Sequence, residues 1–342
     1  MKFVRFLLFP FAILYQIITA IRNFLFDVNI FKSTSFSMPV IVVGNLSVGG
    51  TGKTPQIEYL VRLLKNNFKT GVVSRGYGRK TTGFILLNNK HTAKDVGDEP
   101  LQYFKKFKDI TVAVDENRVE GITKLVDQKS PEVILLDDAF QHRKVKGSFY
   151  ILLTKYNDLF INDYLLPTGN LRESRVGAKR ADAIVVTKCP QTLTEIQRKK
   201  IKAQFSKYEK PIYFTTIKYA DKISGKYSYT IETLQTKHVL LVTGIANPKP
   251  LLNFLSDNKV TFLHLKYSDH HDFTSKNIDE IESAFNSISS KEKLILTTEK
   301  DFTRLENKLE NVSFLAIETC FLNDGHSEFN ENIFQNIKLN TK

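Results

Sequence analysis

A glycine-rich segment near the start of the chain constrains its fold more than any other feature. Residues 44–54 read Gly-Asn-Leu-Ser-Val-Gly-Gly-Thr-Gly-Lys-Thr. They continue an apolar, β-branched run typical of a strand, Val40–Asn45, and lead into a stretch of helical spacing from about residue 53 to residue 65. A strand, a glycine-rich turn and a helix in this order direct backbone N–H groups and a helix N-terminus at an anion. The segment therefore predicts a phosphate-binding loop.

The last residues of this loop indicate a nucleoside triphosphate with Mg²⁺. In such loops the lysine, here Lys53, reaches the β- and γ-phosphates, and the hydroxyl of the next residue, here Thr54, ligates the ion. The usual pattern G-x-x-x-x-G-K-[ST] has glycine where this chain has Ser47, although two neighbouring glycines keep the turn permissive. A chance glycine-rich turn is the alternative. The predicted nucleotide-binding residues are Ser47, Val48, Gly49, Gly50, Thr51, Gly52, Lys53 and Thr54.

Two adjacent carboxylates are the second candidate element of the site. Asp137 and Asp138 follow an apolar run that is typical of a strand. In a parallel sheet, a carboxylate at the C-terminal edge of a strand beside the phosphate loop holds Mg²⁺, directly or through water. Taken alone, an aspartate at a strand end also serves as a turn or helix cap. Both residues are predicted metal ligands together with Thr54, and which of the two contacts the ion stays open.

Strand and helix patterns alternate over most of the chain. This alternation predicts an α/β fold, with a P-loop-type parallel sheet domain followed by a second, smaller α/β domain. Short alternating segments between the two predict extended chain. The predicted units are an N-terminal apolar membrane-associated helix (1–35), a nucleotide-binding α/β domain (36–212), an extended linker (213–235) and a C-terminal α/β domain (236–342).

The N-terminal region carries an uncharged apolar run, residues 6–21, between Arg5 and Arg22. As a helix it would be about 24 Å long, less than the ~30 Å of a bilayer's hydrocarbon core. Its length, basic flanks and aromatic residues favour a helix that lies in one leaflet beside anionic lipid. A cleaved signal peptide and a helix in the protein's own core are the alternatives, although no A-x-A-like cleavage site follows the run.

The composition narrows the classes of partner. With 49 Lys and Arg against 36 Asp and Glu, the formal net charge is +13, which attracts nucleic acid, anionic lipid or phosphorylated substrates. No recognisable nucleic-acid-binding motif is present, so we expect no nucleic-acid partner. Cys189 and Cys320 lie far apart, which gives no support for a disulfide framework or a structural zinc site.

Several further motifs follow the loop in a distinctive order. They are SRGYGR at 74–79, GDEP at 97–100, DDAFQH at 137–142, LRE at 171–173 and DHH at 269–271. Together with the loop at 43–55, they resemble the tetraacyldisaccharide 4'-kinases, the lipid A 4'-kinases of Gram-negative envelopes, whose loop also lacks the first glycine. The resemblance covers nearly the whole chain.

This resemblance implies an ATP-dependent transfer of the γ-phosphoryl group to the 4'-hydroxyl of a tetraacylated glucosamine disaccharide 1-phosphate, which gives lipid IVA and ADP. It implies two α/β domains with the active site in the cleft between them. ATP and Mg²⁺ are the implied cofactors. The N-terminal helix is expected on the anionic surface of the inner membrane, at its cytoplasmic face.

The resemblance also assigns tasks to individual residues. It implies that Asp98 accepts the proton of the 4'-hydroxyl and that a histidine of the pair His270 and His271 orients it or tunes its basicity. Lys53 and Arg172 are expected to bind phosphate oxygens, and Glu173 is expected to help hold the metal.

Simpler roles remain open at these positions. Asp98 could cap the helix that begins near Pro100, the histidine pair could be a solvated turn, and Arg172 with Glu173 could be a surface ion pair. A P-loop switch or assembly ATPase is the alternative function. It would use the phosphate loop but leave Asp98 and the histidines without a task.

Overall fold

Two β-sheets, each flanked by helices, account for most of the chain. The computed structural model describes residues 5–341. Within them the larger sheet has nine strands and the smaller sheet has five. The strands are β1 (Val40–Asn45), β2 (Thr70–Ser74), β3 (Ile85–Leu86), β4 (Thr111–Val114), β5 (Val133–Asp137), β6 (Phe149–Lys155), β7 (Ala183–Thr187), β8 (Ile212–Tyr219), β9 (Ser224–Gly225), β10 (His238–Thr243), β11 (Thr261–Lys266), β12 (Lys293–Thr298), β13 (Val312–Leu315) and β14 (Ile317–Phe321). The α-helices are α1 (Phe9–Asp27), α2 (Lys53–Leu64), α3 (Ala93–Val96), α4 (Asp98–Lys106), α5 (Arg118–Lys129), α6 (Glu195–Phe205), α7 (Ile231–Leu234), α8 (Lys249–Asp257), α9 (Ser275–Ser287), α10 (Glu299–Leu305) and α11 (Gly325–Asn340).

The larger sheet has the order β14-β8-β7-β6-β1-β5-β2-β4-β3. Its strands pair in parallel except at the two edges, where β3 and β14 are antiparallel. Every residue of β1, β2, β5 and β7 is buried, because helices cover both faces. Val43 is in register with Asp137, so the end of β5 lies beside the start of the phosphate loop. The predicted α/β fold class is confirmed.

The smaller sheet has the order β11-β10-β12-β13-β9, in which β9 is antiparallel and the other strands are parallel. Its helix α10, which directly follows β12, packs against α4 of the larger-sheet part. Residues at the C-terminal ends of strands from both sheets therefore approach each other across this helix pair.

The end of the chain returns to the larger sheet. Strand β13 of the smaller sheet ends at Leu315, and one residue later the chain enters β14, which pairs with β8. Helix α11 packs Phe329, Ile333 and Ile337 into the same core as β1 and α2. Because antiparallel edge pairing brings together residues about a hundred positions apart, no local pattern indicates it.

The predicted extended linker, residues 213–235, includes most of β8. This strand pairs with β7 and β14 in the larger sheet. The apolar alternation of this segment is that of a paired strand. The crossing from one sheet to the other occurs after Tyr219, and it is made a second time after Leu315.

Helix α1 lies outside the sheets with its apolar side chains exposed. Only Ala12 and Phe26 are buried in it, whereas Phe11 and Phe24 are 62% and 61% exposed. The alternative of a core helix is therefore wrong. The helix runs beyond the predicted apolar stretch to Asp27, and its 19 residues correspond to a length of about 28 Å.

Candidate active site

The segment between β1 and α2 is a turn that requires glycine at two positions. Gly49 and Gly52 have φ angles of 96° and 89°, in the left-handed region that side chains disfavour. Helix α2 begins directly after Gly52, with Lys53, and among the described residues no side chain caps it. Its first N–H groups are therefore directed at the space in front of the loop, where an anion would bind.

Ser47 stands where the usual loop pattern has glycine, and the backbone explains why a side chain is accepted. Ser47 forms an antiparallel bridge with Leu171, and the N–H of Val48 donates to the Asn170 carbonyl at 2.8 Å. Ser47 is not among the residues with positive φ. Because the backbone is extended there, glycine is not required.

Asp138 holds two cations at the loop. Its carboxylate lies 3.6 Å from Lys53 Nζ and 2.8 Å from Arg172 Nη2. Arg172 also donates to the carbonyl of Asn45, the last residue of β1, at 3.3 Å. Burial alone would raise the pKa of Asp138, but the charges of Lys53 and Arg172 hold that pKa below its ordinary value. The carboxylate is therefore ionised at neutral pH.

Asp137 has no comparable partner. Its Oδ2 accepts from Ser74 Oγ and from the Tyr103 hydroxyl, both at 3.3 Å. Its Oδ1 is buried and makes no hydrogen bond within the described residues. Burial, followed by the neighbouring charge of Asp138, raises the pKa of Asp137 to about 7. A buried carboxylate with an unpaired oxygen and a raised pKa is an environment that a bound cation would stabilise.

The donors around Asp137 suit Mg²⁺. The Thr54 hydroxyl and the Asp137 carboxylate both adjoin the Tyr103 hydroxyl, and oxygens of this kind are the preferred ligands of that ion. No group of three or more His, Cys, Asp or Glu side chains that could hold a metal occurs within residues 5–341. Nucleotide oxygens and water would therefore have to complete the coordination.

Glu173, which was predicted to help hold the metal, is engaged elsewhere. Its carboxylate accepts from Arg180 at 2.8 and 2.9 Å, from Gln141 at 2.9 Å and from Asn23 of α1 at 3.1 Å. Arg180 balances its charge, and both oxygens are occupied. This geometry gives no support for a metal ligand at Glu173. Through its hydrogen bond with Asn23, Glu173 instead connects α1 with the loop that carries Arg172.

Asp98 and His270 meet between the two sheets although 172 positions separate them. His270 Nδ1 lies 3.1 Å from Asp98 Oδ2. Arg304 donates to Asp98 through Nε, at 2.6 Å from Oδ1, and through Nη2 to Oδ2. Lys300 Nζ lies 3.0 Å from His270 Nε2. Asp98 starts α4, whereas Lys300 and Arg304 belong to α10, so the cluster joins both parts of the molecule.

Three polar groups surround the His270 ring. Lys300 can only donate, so His270 Nε2 accepts from it. Nδ1 faces Asp98 Oδ2 and, at 3.2 Å, Arg304 Nη2, and of these two only the carboxylate can accept a hydrogen. Burial would raise the pKa of Asp98, but hydrogen bonds from His270 and Arg304 hold that pKa below its ordinary value. The ionised carboxylate accepts three hydrogen bonds in total. It has about four lone-pair sites, so Oδ1 retains capacity for one more donor.

His271 is placed differently from His270. Its ring stacks on Tyr267 with the centroids 4.8 Å apart, and its Nε2 lies 3.0 Å from Asn277 Oδ1. Its carbonyl accepts from Arg304 Nη1 at 3.0 Å. The structure thus brings His270 to Asp98 and leaves the His271 side chain in the packing of the smaller sheet.

Sequence reasoning missed Lys300 and Arg304. Both follow β12, the central strand of the smaller sheet, at its C-terminal end. The same signal, charged residues directly after a buried parallel strand, had indicated Asp137 and Asp138. Lys300 also pairs with Glu99 at 3.2 Å.

One cavity of about 490 Å³ connects the phosphate loop with this cluster. The loop lines it from Gly50 to Pro55, and Glu99 and Lys300 line it on the side of Asp98. Its other part is mostly apolar, which suits a flat organic base. The apolar side comprises Ile217, Tyr219, Ile245, Pro250, Leu251, Leu315 and Ile317.

Comparison with known proteins identifies the family to which this arrangement belongs. The sequence model described as tetraacyldisaccharide-1-P 4'-kinase, LpxK, matches residues 4–338. The chain belongs to the tetraacyldisaccharide 4'-kinase family. The resemblance predicted from the ordered motifs is confirmed.

Individual family members are similar over their full length. The chain is 52% identical to the tetraacyldisaccharide 4'-kinase of Flavobacterium psychrophilum over 100% of this chain and 99% of that protein. It is 41% identical to the tetraacyldisaccharide 4'-kinase of Bacteroides thetaiotaomicron over 98% and 94%. The crystal structure of LpxK from Aquifex aeolicus in complex with ATP is similar at a TM-score of 0.80 and 29% identity, covering 98% of this chain and 99% of that one.

Proposed function

We propose that this chain holds ATP between its two sheets and transfers the γ-phosphoryl group to the 4'-hydroxyl of a tetraacylated glucosamine disaccharide 1-phosphate. The chain is an ATP-dependent tetraacyldisaccharide 4'-kinase of lipid A biosynthesis, and lipid IVA and ADP are its products. One observation carries the proposed site: a single cavity is lined by the phosphate loop and by the residues that flank the Asp98–His270 pair.

The loop and its cations are proposed to position the triphosphate. Phosphoryl transfer depends mainly on alignment and on charge neutralisation, because the transition state is loose. N–H groups of residues 47–54 would bind phosphate oxygens. Lys53 and Arg172, now paired with Asp138, would extend to the phosphates without the cost of desolvating a free charge.

Thr54 and Asp137 are proposed to hold Mg²⁺. Asp138 would instead keep Lys53 and Arg172 in place beside the phosphates. The unpaired Oδ1 and the raised pKa of Asp137 favour it over Asp138 as the direct ligand. The ion, when bound, supplies positive charge to the β- and γ-phosphate oxygens.

Asp98 is proposed to accept the proton of the attacking hydroxyl. The remaining lone pair on its Oδ1 would accept the hydrogen bond of the sugar and then the proton. The lowered pKa of Asp98 makes it a weak base. A loose transition state tolerates this, since the hydroxyl loses its proton late. His270 and Arg304 fix the plane of the carboxylate.

Helix α1 is proposed to bring the site to the lipid. Its apolar side chains are exposed, while Tyr15 donates to the Arg172 carbonyl at 2.7 Å and Asn23 contacts Glu173. The helix thus adjoins the loop that carries Arg172. We propose that it lies in the cytoplasmic face of the inner membrane, where the net positive charge is attracted to anionic lipid.

Incubation with γ-labelled ATP and the tetraacyldisaccharide 1-phosphate tests this function. We expect label in the lipid with the natural chain and none with Lys53→Ala. Lys65→Ala, directly after the same helix and paired there with Asp109 at 3.2 Å, is the matched control and should retain transfer. Hydrolysis of ATP without label in the lipid would contradict the proposal and favour a switch ATPase.

A further inference from the structure

A second ionic cluster crosses between the two sheets, away from the Asp98–His270 pair. Lys106 at the end of α4 lies with its Nζ 2.7 Å from Glu58 Oε2 and 2.8 Å from Glu299 Oε2. Glu58 belongs to α2 and Glu299 is the first residue of α10. Gln102 donates to the other oxygen of Glu58 at 2.8 Å. One ammonium group therefore contacts carboxylates from both parts of the molecule.

The cluster is shielded from solvent and borders the nucleotide cavity. The side chains of Glu58 and Glu299 are 1% and 10% exposed, and both line the cavity. The charged groups that face Glu299 are Glu58 and Arg62 of α2 and Lys106 of α4. Arg62 lies further away, at 3.7 Å from Glu58, and also pairs with Glu318. Lys106 is thus the cation in direct contact with both carboxylates.

Glu58 and Glu299 each lie on a helix that also contains residues of the proposed site. Glu58 is one turn beyond Lys53 and Thr54 on α2. Glu299 precedes Lys300, which contacts His270, and Arg304, which holds Asp98. A helix transmits displacement along its axis with little bending over one or two turns. Lys106 therefore connects the helix that follows the phosphate loop with the helix that carries Lys300 and Arg304.

We infer that Lys106 is a positioning residue of the kinase, which aligns the phosphate loop with the proton-accepting cluster by bridging Glu58 and Glu299. Lys106 is not among the residues that line the nucleotide cavity, so its loss should impair transfer more than nucleotide binding. The inference rests on the proposed function. Electrostatics supply the reason: without Lys106, two buried carboxylates face each other and push α2 and α10 apart.

Steady-state kinetics on the full-length chain test this with matched variants. Lys106→Met should lower kcat by about tenfold or more while the KM for ATP changes less than about threefold. Lys106→Arg should recover most of the rate. Lys105→Met is the control, because Lys105 is adjacent but pairs with Glu306 after α10, and Lys106 is the residue that pairs with Glu58 and Glu299. It should stay within about twofold of the natural chain, as expected for a more exposed pair.

A charge rescue distinguishes alignment from a packing defect. The double variant Lys106→Met with Glu299→Gln removes the repulsion and should regain a large part of the lost kcat. Burial and then Glu58 already raise the pKa of Glu299 to about 7, so the deficit of Lys106→Met should grow as the pH rises from 6 to 9 and the carboxyl loses its proton.

The outcomes separate the inference from the function on which it rests. If Lys106→Met and Lys105→Met behave alike, or if Glu299→Gln restores nothing to Lys106→Met, the positioning role is overturned. Thermal unfolding identifies a variant that does not fold, and Lys106→Arg then carries the test through its KM and kcat. Failure of the natural chain to phosphorylate the lipid would instead overturn the proposed function.

Discussion

At the level of single residues, the proton-accepting role proposed for Asp98 can be tested by one substitution. Asp98→Asn keeps the size of the side chain but cannot accept the proton, so kcat should fall by about 10²- to 10⁴-fold with little change in the KM for ATP. Asp127→Asn, at an exposed position of α5 far from the site, is the control and should be nearly silent. A change confined to the KM for ATP would place Asp98 in nucleotide binding instead.

The backbone of the phosphate loop gives a second prediction at this scale. Ser47 is extended, whereas Gly52 has positive φ. Ser47→Gly should therefore bring no gain in turnover and should lower the free energy of unfolding by about 0.5–1 kcal/mol, through greater freedom of the unfolded chain. Gly52→Ala should cost about 1–2 kcal/mol in backbone strain and weaken ATP binding. Thermal unfolding and ATP titration measure both. Improved ATP binding by Ser47→Gly would contradict this explanation.

At the scale of elements, helix α1 can be tested without disturbing the site. Phe11, Ile18 and Phe24 are exposed, whereas Tyr15 and Asn23 contact the loop at 172–173. Changing the three exposed residues to serine should remove about 1.5–3 kcal/mol of membrane affinity for each side chain that lipid would bury. We expect the triple variant in the soluble fraction after cell lysis.

A control for this experiment comes from another helix. Ile196 of α6 is 81% exposed, so Ile196→Ser changes an apolar surface residue that lies outside α1. It should leave membrane recovery unchanged. Unchanged recovery of the triple variant would show that a different surface attaches the protein to the membrane.

Local elements could be predicted from the sequence because their signals are local. The apolar strand, the glycines and the helix start around Lys53 lie within thirteen positions, and the aspartates end a strand of the same sheet. Long-range pairing has no such signal, so β14 and the return of α11 were missed. Glu173 shows a related limit, since its partners Arg180 and Asn23 come from separate segments. The sequence around Glu173 does not indicate whether its carboxylate pairs with an arginine or binds a metal ion.

At the scale of the whole molecule, the buried carboxylates make stability depend on pH. The pKa of Asp137 is raised to about 7 in the folded chain, against about 3.9 when unfolded. Between these values the folded state binds a proton that the unfolded state has lost, so the contribution of this group to stability falls as pH rises, by about 4 kcal/mol in total. Without nucleotide and metal, Asp137→Asn should flatten the pH dependence of thermal unfolding between pH 4 and 7. An unchanged slope would contradict the raised pKa.

The arrangement of the two sheets explains why the site could be predicted only in part. The phosphate loop and Asp137 lie on one sheet, and their relation follows from the order of parallel strands. Asp98 and His270 come from different parts of the chain, and only the family resemblance connected them. Lys300, Arg304 and Lys106 act at the contact between α4 and α10, which depends on how the two parts pack.

A crystal structure with a non-hydrolysable ATP analogue and Mg²⁺ would show whether the phosphate loop and Asp98 serve one reaction. We predict that the triphosphate lies on the N–H groups of residues 47–54, with its terminal phosphorus between Lys53 and the Asp98–His270 pair and with room for a sugar beside Asp98 Oδ1. A terminal phosphate directed away from Asp98, with protein between the two, would contradict it.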